Sequence, residues 1–240
     1  MTADRWAQTV RHQLGIGRLL PLGDARDGAW ITERAAEAVL RSAARDAPGV
    51  RLDALRVVVA DAEETAEPAV PAPPSALPPG PLRVTAEFAA TAAQPLPTTA
   101  SLLRATLGTA ATERLGLTVT EVDLKVMGLL DEETPAAAGP AAGPAEPPRA
   151  ARPEGGDEAR AADAALAVPG VLRLTGTLGR PVHIEELPRE GAALPHRHVR
   201  LELAVSADQR ARDVAREVRT VVRRTLPDHP TVAVVVSAIG

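Results

Sequence analysis

Three histidines and a row of arginines are the residues here whose types and spacing could do chemistry. His196-Arg197-His198 opens an alternating segment, and His183 precedes it beside Glu185 and Glu186. Two neighbouring strands carrying them would bring His183, His196 and His198 within reach of one divalent cation, because imidazole nitrogens are ordinary zinc ligands and alternate strand residues share a face. The same alternation supports a competing reading. Val199, Leu201, Leu203 and Val205 mark the opposite, buried face, which leaves the histidines solvated at an exposed strand end with no metal. No cofactor is expected.

The arginines lie at helical spacing. Arg212, Arg216, Arg219 and Arg223 fall on one stripe, while Val214, Val218, Val221 and Val222 take the other side and can pack on a sheet. Such a stripe is either an ordinary solvated face or a docking surface for an acidic partner or anionic headgroups, each basic residue adding about 1 kcal/mol near a lipid surface. Residues 3–14 place Trp6, Val10 and Leu14 at four-residue steps, so Trp6 could anchor a short amphipathic helix on a membrane, on its own domain or on a partner. Nucleic acid is not an expected partner: the net charge is -4 and no aromatic platform accompanies the arginines.

Catalytic patterns are missing. With no cysteine, thiol nucleophiles, disulfides and cysteine-bound metals are excluded. There is no Gly-x-Ser-x-Gly and no phosphate-binding loop, and Gly15-Ile16-Gly17 lacks both a preceding strand and a third glycine. The protein is therefore expected not to be an enzyme.

The elements that would position these residues follow from hydrophobic period. Ala36, Val39, Leu40 and Ala43 repeat as a helix capped by Thr32 and ended by Pro48-Gly49. Leu55 to Ala60 reads as a strand, and Leu82, Val84, Ala86 and Phe88 alternate as a second one. A helix over about 97–114 follows, stopped by Gly116, and Val122, Leu124 and Val126 close the unit as a strand whose Glu121, Asp123 and Lys125 face water. Residues 61–81 and 131–157 are rich in Pro, Ala and Glu without apolar periodicity, so both are expected to be disordered.

The same order then returns: a helix over 158–168 ending at Pro169-Gly170-Val171, a hairpin over 173–186 turning at Leu178-Gly179-Arg180, the strand starting at His196, a helix over 208–226, and a strand with Val232, Val234 and Val236. The expected fold class is α+β, as two tandem two-layer units. Each runs helix-strand-strand-helix-strand with its helices on one face of a mixed sheet. The boundaries are 1–30 for an N-terminal amphipathic segment, 31–130 for the first unit, 131–157 for the linker and 158–240 for the second. Only three aromatic residues are available, so the cores must be built from Val, Leu, Ile and Ala. One continuous core would overturn the reading as two separate units.

Two stretches of the first unit carry a family resemblance. Ile31-Thr32-Glu33 opens a helix that ends Ala47-Pro48-Gly49-Val50, and Leu115 to Val126 (LGLTVTEVDLKV) runs from a Gly-Leu turn into a Val-x-x-Val-Asp-hydrophobic strand. In these the chain resembles the alkaline-shock, Gls-type envelope stress response family of Gram-positive bacteria, closely over 31–130 and in outline over 158–240. The resemblance implies a non-catalytic cytoplasmic protein of envelope homeostasis, held at the inner face of the membrane by small membrane proteins or by self-association. A metal- or ligand-binding regulatory module around His183, His196 and His198 is the alternative.

Overall fold

The computed structural model describes residues 17–131, 147, 149–187 and 196–240; Trp6 and the 3–14 segment lie outside them, as do linker residues 132–146. In chain order the elements are β1 (Leu19–Pro21), β2 (Ala29–Thr32), α1 (Glu33–Ala44), β3 (Val50–Val59), β4 (Leu82–Thr91), α2 (Leu96–Thr109) with a π-helical turn over Ala110–Leu115, and β5 (Val119–Leu130). Then come α3 (Gly156–Leu166), β6 (Val171–Leu174), β7 (Val182–Leu187), β8 (His196–Val205), α4 (Ala211–Thr225) and β9 (Thr231–Ile239). The class is α+β with mixed sheets. Thr32 caps α1 by accepting from the Ala35 N–H at 3.3 Å. Gly49 (φ 68) and Gly170 (φ 91) make the left-handed turns that lead from α1 into β3 and from α3 into β6, a conformation glycine adopts without steric cost.

Two sheets form. The first has the order β3-β4-β5; the second runs β1-β2-β9-β8-β6, with β7 also on β8. In both, the pairing is antiparallel and then parallel: β3 with β4 and β4 with β5, β6/β7 with β8 and β8 with β9. A bulge in the parallel ladder also recurs. Phe88 sits opposite Val126 and Ala89 opposite Gly128, which passes over Met127; Leu203 sits opposite Val236 and Ala204 opposite Ala238, which passes over Ser237. The registers align Val84–Val122 with Val199–Val232, two residues away from the alignment that the apolar alternation alone gives, Leu82 with Val199.

Four sequence expectations need correction. The hairpin over 173–186 is absent, because β6 and β7 do not pair with each other. They lie end to end along β8, β6 opposite residues 203–205 and β7 opposite 196–201, since the ten-residue β8 is long enough to take both. Residues 1–30 are not merely an amphipathic segment: β1 and β2 pair antiparallel, and β2 then joins β9 in parallel.

Residues 61–81 are packed rather than disordered. Ser75 and Leu77 bracket Leu19 in a β-bridge, with Leu19 N–H to Ser75 O at 3.0 Å and Leu77 N–H to Leu19 O at 2.8 Å, and Val70 is buried. Its prolines already restrict the unfolded chain, so ordering the segment costs less entropy than its composition suggests. At the end of the linker, Arg149 bridges to Thr175 and Arg152 pairs with Asp163 of α3.

The core is continuous. One apolar cluster runs from Val57, Val84, Phe88 and Leu103 to Leu201, Val218 and Val234, so the two sheets do not stand as separately packed units. Helix α1 packs on β9 as well as on β3, and α4 reaches β2 and the π-helical turn. Both faces of β9 are buried: Val232, Val234 and Val236 enter this core, and Ala233 and Val235 lie on the other side with Leu19, Trp30 and Val70.

Candidate functional site

The arginine stripe of α4 is largely consumed inside the chain. Gly23 to Gly28 joins β1 to β2 and carries Asp27, which is 4% exposed. Arg216 grips the Asp27 carboxylate with two nitrogens, Nη2 reaching Oδ2 at 2.9 Å, and the Asp24 N–H donates to the same oxygen at 2.7 Å. Arg219 donates to the carbonyls of Val232 and Arg26 at 2.8 Å each, and to that of Asp27. A Cβ on Gly28 would meet the Arg219 guanidinium carbon at 2.9 Å, so the bare glycine (φ 51) lets the two groups approach. The hydrogen bonds to Asp27 hold the Arg216 pKa up, while burial lowers that of Arg219.

The stripe thus fastens the β1–β2 loop instead of presenting four free cations. Arg212 pairs with Asp213 at 3.0 Å, and Arg223 stays exposed. Asp27→Ala is expected to destabilise the fold by about 2 kcal/mol, less than the roughly 3–5 of a fully buried pair because Arg216 is 43% exposed; urea titration measures it.

The histidines do not converge. Pairing of β7 with β8 sets His183 opposite Arg200, Glu185 opposite His198 and Leu187 opposite His196. Among the described residues no group of three His, Asp or Glu side chains could hold a metal ion. The expectation that His198 is solvated is corrected: it is 3% exposed, with Nδ1 2.8 Å from Thr231 Oγ1, and burial pushes its pKa down to about 4. His183 stays half-exposed, 3.9 Å from Glu185.

Further along the same face of β8 stands Glu202, fully buried, a position that strand alternation assigns to solvent. The 175–181 excursion folds over it, and the Leu178 N–H donates to both carboxylate oxygens at 2.9 Å. Burial raises its pKa to about 7 from 4.5. A raised folded pKa gives stability that is full below 4.5 and lost as pH rises through 7, on the order of 3 kcal/mol. His198 has the opposite sign: its contribution is full above 6.5 and lost as pH falls through about 4. The two slopes oppose between 4.5 and 6.5. Glu202→Gln keeps an oxygen for the Leu178 N–H and removes the charge. It is expected to match the parent at pH 4.5 and exceed it by up to ~3 kcal/mol at pH 8 in urea unfolding.

The first sheet is finished differently from the second. On the helix side of β5, Val122 and Leu124 are half-buried and Val126 is 40% exposed, whereas their counterparts Val232, Val234 and Val236, on a strand flanked by β2, are at most 2% exposed. Met127 and Leu129 are 52% and 64% exposed. The opposite face of this sheet is charged. Arg83 pairs with Glu121 at 2.6 Å and Lys125 with Glu87 at 3.1 Å, the second pair lining an open depression of ≈ 420 Å³ together with Arg56, Thr85 and Asp123.

Two other sheet edges are guarded. The 75–77 bridge covers β1, and β3 has Arg41 on the Asp53 carbonyl and Arg18 on that of Val57. Among the described residues the β5 edge holds a single such guard, Arg104 on the Val122 carbonyl at 3.1 Å. The sequence signals for Asp27 and Glu202 were faint: an apolar Leu19-Leu20-Pro21-Leu22 run ending in Gly-Asp, and the unbroken Val232-Ala233-Val234-Val235-Val236 run of β9, which means a strand buried on both faces beside β8.

No protein-family model matches the chain, and no curated protein matches it. Among the described residues no helix is long and apolar enough to cross a membrane.

Proposed function

We propose that this chain is a non-catalytic interaction protein in which one α+β pattern is written twice and fused, a relative of the alkaline-shock, Gls-type family, acting in the cytoplasm by self-association and docking at the inner membrane face through a small membrane partner. The observation that carries this reading is the asymmetry of two otherwise matching sheets. Pairing sense, bulge position and the turn glycines Gly49 and Gly170 recur, yet β9 is completed by β2 while β5 ends the first sheet with exposed Val126, Met127 and Leu129. An apolar strand edge of this kind is a surface for pairing with another chain. The alternative of a metal- or ligand-binding module has less support, because His183 faces Arg200 and His198 is bonded to Thr231.

Sedimentation velocity over a hundredfold range of concentration, with and without membrane vesicles from a cell expressing the protein, tests the proposal. Concentration-dependent growth in size is the expected result. A monomer at every concentration that ignores the vesicles would count against it.

A further inference from the structure

We infer that a second copy of this chain completes the first sheet, its β5 pairing antiparallel with β5 about a two-fold axis through Leu124; this rests on the self-association proposed above. The backbone has the right parity. The Val122 carbonyl takes Arg104 rather than β4, so it points out of the sheet, and alternation turns the N–H and C=O of Leu124 and Val126 the same way. Centring on Leu124 sets Leu124 against its own copy and Val122 against Val126, giving about six hydrogen bonds in narrow pairs.

The side chains agree on both faces. Val122, Leu124 and Val126, open along the edge, meet their like on the helix side. On the other face Asp123 meets Lys125 of the second copy and Lys125 meets its Asp123, so the strand is self-complementary in charge, as an isologous contact requires. The two-fold axis stands perpendicular to the sheet, which keeps the helices of both copies in one layer and sets the α2 helices side by side with Leu102, 42% exposed, between them and the solvent.

Within the chain, β9 supplies the precedent: the same edge is filled by β2, and its valines are buried. In the sequence of 132–146, Pro135, Pro140 and Pro144 leave no run longer than four residues without a proline. Residues 3–14 have helical rather than strand spacing. Among the described residues, forming the pair requires only that the exposed Arg104 side chain swing off the Val122 carbonyl.

Complementary charge variants test it in the full chain. Asp123→Lys sets lysine against lysine at both charged positions of the pair, and Lys125→Asp sets aspartate against aspartate, so each variant alone is expected to dimerise about tenfold more weakly by sedimentation. An equimolar mixture restores opposite charges at both positions and recovers the parent affinity, which also shows that both variants are folded. Because the chain has no cysteine, Leu124→Cys adds a single thiol, and paired Cα atoms about 5.5 Å apart suit a disulfide. It should cross-link to itself on oxidation, whereas Val122→Cys should cross-link to Val126→Cys in a mixture and poorly to itself. Oligomers that form without these patterns would overturn the β5 pairing and leave self-association standing. A parent chain that stays monomeric would overturn both.

Discussion

Trp30→Ala should lower the unfolding free energy by about 3–5 kcal/mol, the range for removing a fully buried large aromatic. Trp30 is 1% exposed on β2, where Ala29 and Ile31 face the main core and Trp30 faces the opposite side with Leu19, Val70 and Val235. Its Nε1–H donates to the Leu77 carbonyl at 3.3 Å, so one side chain joins the sheet to the 61–81 segment. Loss of the indole leaves a cavity that Val70 alone cannot fill. Beyond the shift in the urea midpoint, a glutamate-specific protease should cut the variant at Glu63, Glu64 or Glu67, sites at which the parent resists under the same conditions. An unchanged digestion pattern would mean that the segment is held without Trp30.

The second large effect belongs to the other sheet. Phe88, the only phenylalanine, is fully buried on β4 between Leu52 and Val126. Phe88→Ala is expected to cost about 3–5 kcal/mol. Because the core is continuous, that loss should reach Trp30, which reports from the six-stranded sheet. With Trp6→Phe in the background, Trp30 fluorescence and far-ultraviolet circular dichroism should show one coincident transition, shifted equally. If Trp30 kept its parent midpoint while the dichroism split into two steps, the sheets would be independent.

These two residues mark what was legible in the sequence. The periodic elements were: α1 with its Thr32 cap, the helix through Arg114, the alternating strands and the repeated order all follow from 2.0 and 3.6 periods that burial enforces locally. What was hidden depends on partners distant in sequence. The three-residue β1 and four-residue β2 are too short to show a period, and they are strands because β9 offers them an edge. Residues 61–81 pack because Leu19 and Trp30 offer carbonyl and apolar partners.

For the candidate site the lesson runs the same way. Arg216 and Arg219 look like a docking face from spacing, because nothing in a helical period tells that the Asp27 carboxylate and the loop carbonyls of Arg26 and Asp27 lie above them. The apolar and charged faces of β5 were visible as alternation, with Val122 and Leu124 turned to the helices and Asp123 and Lys125 to water. That this strand ends its sheet was not, since strand order is a property of the assembled chain.

Amide hydrogen exchange at two protein concentrations is the most direct test. In dilute solution the Leu124 and Val126 N–H groups should exchange fast, slowing severalfold or more as concentration rises, while Val234 and Val236 stay protected throughout. Protection of Leu124 and Val126 that is already complete in dilute protein, or exchange that ignores concentration, would contradict an open edge waiting for a second copy.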